Sequence, residues 1–219
     1  MAGFTGRTSS LIKYNDRSLK DLTTTPAAAG GDTGAVVHIK TITASADATI
    51  SFVNGASSVV LDSTYPIYKI EFINIHPATA GSILKVNFSD DTSSHSYDLT
   101  KTTTSFYARL DEDDSDAQVT YNSGNDLAES TADQEIILNT NNNNDSSCSG
   151  ELTLFNPSST TFVKHFLVSA NSDGESSRCF TTYISGYVNT TAAVTAVRFN
   201  YGSDNIDAGT FKLYGIKDA

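Results

Sequence analysis

The sequence predicts an all-β protein: an antiparallel two-sheet β-sandwich, jelly-roll-like, preceded by an extended N-terminal arm. Three observations carry this reading. Short runs of alternating apolar and polar residues recur from Val36 onward, with turn chemistry between them. The composition favours strands, caps and turns over helix interiors, with 28 Ser, 28 Thr and 16 Asn among 219 residues. No strand pattern alternates with a helix of about ten residues or more, which sets aside a parallel βαβ sheet.

Residues 1–34 are expected to form a docking arm and linker, and residues 35–219 the sandwich domain. The arm has no sustained period of 2 or 3.6 and ends in a Pro, Ala and Gly tract, the composition of an extended linker. A short helical turn from Leu11 to Leu19, capped by Ser9 or Ser10, is a further expectation there. In the domain, VVHIKTIT (36–43) and ATISFV (48–53) read as strands. Asn54-Gly55 then predicts a two-residue hairpin turn into SSVVL (57–61). In IYKIEFINI (67–75), Ile67, Lys69, Glu71, Ile73 and Ile75 fall on one face, and Tyr68, Ile70, Phe72 and Asn74 on the other, which places this strand inside the sandwich. SILKVNF (82–88), SYDLTK (96–101), SFYARL (105–110), QEIILN (134–139), GELTLFN (150–156), FVKHFLVSA (162–170), RCFTTYISGYV (178–188), AVTAVRFNY (193–201) and AGTFKLYGI (208–216) complete the set. The expected core comprises Ile50, Phe52, Ile70, Phe72, Leu84, Val86, Ile137, Leu152, Leu154, Phe166, Val197, Phe199, Phe211 and Leu213.

The formal net charge is -11, which argues against a sequence-independent grip on nucleic acid through phosphates. No run approaches the roughly 20 apolar residues of a membrane-spanning helix, so no membrane insertion is expected. No secretory leader is legible at the N-terminus. Charge is unevenly placed: residues 1–20 hold Arg7, Lys13, Arg17 and Lys20 against Asp16 alone. Phe4, Leu11, Ile12, Tyr14 and Leu19 lie among these cations. Apolar anchors interspersed with charge, without a fold of their own, suit a strap that orders on a partner.

Enzyme signatures are scarce. His38, His76, His95 and His165 lie far apart in sequence and outside any zinc or nucleophile motif, so no catalytic residue and no cofactor is expected. Cys148 and Cys179 read as structural, with a bridge between them the lesser alternative. The acidic run offers Asp111, Asp113, Asp114 and Asp116 as calcium candidates, against the plainer reading of a solvated loop tip. Asn139 and Asn141 to Asn144 form an amide-rich surface loop that could pair with glycan hydroxyls, although the absence of Trp removes the strongest sign of a sugar platform.

The segments Glu151 to Phe166, Gly186 to Thr191, Ala196 to Phe199 and Asn205 to Ile216, closing on Gly209-Thr210-Phe211-Lys212-Leu213-Tyr214-Gly215-Ile216, resemble poorly characterised virion structural proteins and tail-fibre C-terminal modules of tailed bacteriophages, notably marine phages. Tyr68 to Pro77 fits the same pattern. The resemblance implies a non-enzymatic structural protein of the virion exterior, assembled in the host cytoplasm. It brings no catalytic residues with it. The expected place is the tail or host-attachment apparatus, as a tail fibre, baseplate or adaptor-bound protein. Capsid decoration, as a cement or head-fibre protein, is one alternative and a carbohydrate-binding module another. Expected partners are other virion proteins through the arm, further copies of the chain with a trimer favoured, and a host-surface glycan.

Overall fold

The computed structural model describes residues 35–218. The arm residues Phe4, Arg7, Leu11, Ile12, Lys13, Tyr14, Arg17 and Lys20, and the helical turn expected at Leu11 to Leu19, lie outside the described residues. The named elements are twelve strands: β1 (Val36–Asp47), β2 (Thr49–Val53), β3 (Ile67–Pro77), β4 (Lys85–Ser89), β5 (Lys101–Asp111), β6 (Ala117–Tyr121), β7 (Gln134–Glu135), β8 (Cys148–Phe155), β9 (Lys164–Gly174), β10 (Arg178–Val188), β11 (Ala196–Asn200) and β12 (Ile206–Ile216).

They form two antiparallel sheets, an eight-stranded one in the order β1-β12-β3-β8-β9-β10-β5-β6 and a four-stranded one in the order β2-β11-β4-β7. Eight strands alone make a jelly roll, with β1-β12-β3-β8 in one sheet and β2-β11-β4-β7 in the other. The remaining four are two inserted hairpins. β5–β6 lies between β4 and β7 in the chain, β9–β10 between β8 and β11, and together they continue the larger sheet beyond β8.

The core sits between the two sheets. All fourteen residues expected there are buried, each at most 4% exposed. Phe199 of β11 meets Phe211 of β12 at a ring-centroid distance of 5.1 Å and Phe72 of β3 at 6.2 Å, and Phe88 of β4 meets Phe166 of β9 at 5.2 Å. Aromatic rings crossing from sheet to sheet supply large apolar area per residue, which is how a chain this rich in Ser and Thr fills its interior. The closing phrase has its own packing logic. Gly209, at φ +124, sits where the β12–β3 register shifts, and a Cβ at Gly215 would overlap the ring of Tyr65.

Several local expectations are corrected. SSVVL is not a strand. Gly55, Ser57 and Ser58 adopt positive φ, and the segment closes as a compact loop in which Asn54 Oδ1 accepts the Leu61 N–H (2.9 Å) while Val59 and Leu61 plug the core. SYDLTK is irregular up to Lys101, because Ser96 turns its N–H and hydroxyl to Asp91 and its hydroxyl also to Asp98, local bonds that compete with a ladder. The faces of β3 exchange at a bulge after Phe72: Asn74 takes φ 52 and is exposed, and Ile75 turns inward. Of QEIILN only Gln134–Glu135 pairs as a strand, after which Ile136 and Ile137 are both buried. The acidic run closes the β5–β6 hairpin, whose short second strand, AQVTY, goes unrecognised in the sequence reading.

Candidate functional site

The two inserted hairpins carry the most distinctive surface. In these hairpins the inward face of β5 is covered by a polar loop that follows β6, while that of β9 and β10 packs into the core. The Thr103 hydroxyl donates to Gln134 Oε1 (2.7 Å) and accepts the Leu127 N–H (2.9 Å), while Gln134 Nε2 donates to the carbonyls of Asn125 and Glu135. Their outward face is open. Strand registers align Tyr121, Phe106, Tyr183, Ser169 and Glu151 in one row across β6, β5, β10, β9 and β8.

Phe106 and Tyr183 stack with centroids 5.1 Å apart and planes 20° from parallel. Both rings are nearly half exposed, as are Leu110 and Leu167, and Val119 and Tyr121 of the edge strand are more exposed still. Beside the stacked pair is a shallow groove of about 330 Å³, walled by Phe106, Tyr183, Leu167 and Glu151 with small hydroxyl residues. Glu151 is paired with Lys69 at 2.5 Å, so its charge is partly met. Six large apolar side chains on one face of this sheet end form a surface suited to contact with another protein.

The calcium candidates lie in the tip of the β5–β6 hairpin. Asp111 accepts from Arg178 Nε at 2.9 Å and also faces Arg109 Nε at 3.6 Å, and Asp116 pairs with Arg109 Nη2. The Asp113 carboxylate accepts the Ser115 N–H at 3.0 Å, and its hydrogen bonds with Ser115 lower its pKa from the ordinary value. Asp114 occupies the turn with φ 58. Two arginines thus engage Asp111 and Asp116. Among the described residues, no group of three or more His, Cys, Asp or Glu side chains is placed to hold a metal ion.

The Asn tract borders a second hollow, a polar cleft of about 460 Å³ that includes Asn74, His76, Asn144, Asp145 and Asp207. His76 Nε2 lies 3.1 Å from the Asn143 carbonyl, and its Nδ1 is 3.5 Å from Asp207. No aromatic side chain of Phe, Tyr or Trp lines that cleft, so a sugar there would find polar partners without a stacking face. His38 meets Thr41 (2.8 Å) and the edge of Tyr214 on the outer sheet face, His165 meets Tyr187, and His95 meets Tyr97. Both cysteines are free thiols, Cys148 buried against Tyr201 and Cys179 exposed on β10.

Sequence reasoning recognises the strands that carry Phe106 and Tyr183 without pairing them. Residues 77 positions apart in sequence become neighbours only through the β10–β5 register, and no local periodicity encodes that register. Family models, curated proteins and solved structures yield no match to the chain.

Proposed function

We propose that this chain is a non-enzymatic structural protein on the exterior of a tailed-phage virion, anchored through residues 1–34 and belonging to the tail or host-attachment apparatus. The observation that supports this best is the division of labour along the chain. A basic segment studded with apolar anchors precedes an acidic jelly roll that begins at Val36 and whose described residues form one extensive hydrophobic core. A rigid body with a separate strap is the form needed by a component added to the outside of a particle. The apolar outer face on β5, β6, β9 and β10 supplies a second contact surface, through which copies or neighbouring virion proteins can meet around a symmetry axis, as a trimer would require.

Immunogold labelling of intact, unfixed phage particles with antibodies raised against the folded domain tests the reading. Label on the tail or its fibres is expected. Label on the head lattice would move the role to capsid decoration, and absence of the protein from purified particles would contradict a virion role altogether.

A further inference from the structure

A constellation flanking β4 of the smaller sheet has the parts of a bond-forming site. Lys101, the first residue of β5, is fully buried, as is Asn87 of β4. Lys101 Nζ lies 2.6 Å from Asn87 Oδ1 and 2.7 Å from the Leu99 carbonyl. The same Oδ1 accepts the Phe88 N–H at 2.9 Å. On the other side of the amide, Asn87 Nδ2 donates to Asp133 at 2.7 Å and to the Thr131 carbonyl at 3.1 Å. These partners fix the amide's orientation, since only an oxygen suits the Phe88 N–H and only an NH₂ suits two acceptors. Asp133 is held in turn by Asn200 Nδ2 at 2.9 Å and by Arg198, whose guanidinium lies 4.4 Å from the centre of the Tyr97 ring.

We propose that Lys101 and Asn87 join in an intramolecular isopeptide bond, with Asp133 as the proton carrier and the Phe88 N–H as the donor that stabilises the oxyanion. The neutral Nζ attacks Cγ of Asn87, a new N–C bond forms, and the carbonyl electron pair moves onto Oδ1 against the Phe88 N–H. The proton shed by the newly bonded nitrogen then passes to Nδ2 through Asp133, whose carboxylate already touches that leaving nitrogen at 2.7 Å. The Cγ–Nδ2 bond then breaks, the carbonyl re-forms, and one ammonia leaves. One N–C bond is made and one broken, no electron is transferred to or from another molecule, and no co-reactant is needed.

The surroundings favour the attack and the departure of ammonia. Burial lowers the Lys101 pKa to about 8, so a substantial neutral fraction exists near physiological pH even though Asp133 and Asp98 oppose the shift. Oδ1 keeps the Phe88 N–H as donor when Nζ turns to Cγ, the carboxylate sits at the leaving nitrogen, and Nζ is already within 2.6 Å of the amide. Lys164 provides an internal contrast: it is equally buried, but its Nζ meets only the carbonyls of Phe162 and Thr190, each at 3.0 Å, and no side-chain amide. The bond would tie β4 of the smaller sheet to β5 of the larger one and close the irregular segment between them, a covalent staple in a sandwich whose cysteines are both free.

Intact-mass measurement of the full chain, followed by a peptide map, tests this. The expected mass is below that of the sequence by one ammonia, about 17 Da, with a single branched peptide joining Asn87 to Lys101 and normal cleavage after Lys164. Lys101→Arg and Asp133→Asn should each recover the full mass expected for their sequences and show only linear peptides. Succinimide formation at Asn54-Gly55 also releases ammonia, but it leaves linear peptides and survives Lys101→Arg. A full-mass native chain, or a deficit that persists in Lys101→Arg, overturns the proposal.

Discussion

Phe106 and Tyr183 face each other directly across the β5–β10 ladder, and their rings stack on the solvent side of the sheet. Such a cross-strand pair stabilises the inserted hairpins modestly, so a double-mutant cycle with Phe106→Ala and Tyr183→Ala should return a coupling of about 0.5–1 kcal/mol in urea unfolding. The jelly roll beneath should remain folded in both single variants. A coupling near zero would mean that the stacking contributes nothing beyond burial.

The heaviest dependence should fall on Phe199, which contacts Phe72 and Phe211 where the two sheets meet and is fully buried. Phe199→Ala is expected to cost about 3–5 kcal/mol, measured as a fall in the urea midpoint. A loss below about 1 kcal/mol, the usual range for a surface site, would show that the sheets do not pack through this cluster.

Cys148 gives a test in alkali. Burial pushes its thiol up to about 11 from the ordinary value of 9.0, so between those values the unfolded thiol is ionised while the folded one keeps its proton. The folded state then binds more protons than the unfolded state, and stability falls as pH rises from about 9 to about 11. Cys148→Ala should remove that part of the slope. At neutral pH a thiol reagent should label exposed Cys179 in the native protein and reach Cys148 only after denaturation.

At the hairpin tip, the arginines set the outcome. Asp111→Ala leaves Arg178 without its 2.9 Å partner and should cost about 1–2 kcal/mol. Calcium should not raise the melting temperature of the native chain, because Asp111 and Asp116 are already engaged by Arg178 and Arg109. A calcium-dependent rise that disappears in Asp113→Asn would revive the tip as a cation site.

Much of the fold was legible because apolar alternation survives in the strands that fill the sandwich, from Ile50 and Phe52 of β2 to Phe211 and Leu213 of β12. What was missed had specific causes. Positive φ at Ser57, Ser58 and Asn74 overrides the strand pattern at residues whose types do not demand it. The AQVTY edge strand is brief and follows an acidic run that reads as loop. The Lys101–Asn87–Asp133 constellation left no sequence signal, because a lysine at the start of a strand ordinarily faces water and its partners come from separate segments of the chain. The arm was legible as charge and apolar spacing.

We propose that residues 1–34 fasten the jelly-roll domain to a particle. Reconstituting particles with a chain lacking those residues, and counting occupied sites by electron microscopy, tests it most directly. The domain should remain folded, since residues from Ala44 to Leu213 form one extensive core, and its density should vanish from the particle surface. Reversing the charges of Arg7, Lys13, Arg17 and Lys20 should weaken attachment in a salt-dependent way, whereas replacing Phe4, Leu11, Ile12 or Tyr14 should weaken it at any salt concentration. Normal occupancy by the truncated chain would contradict docking through the arm.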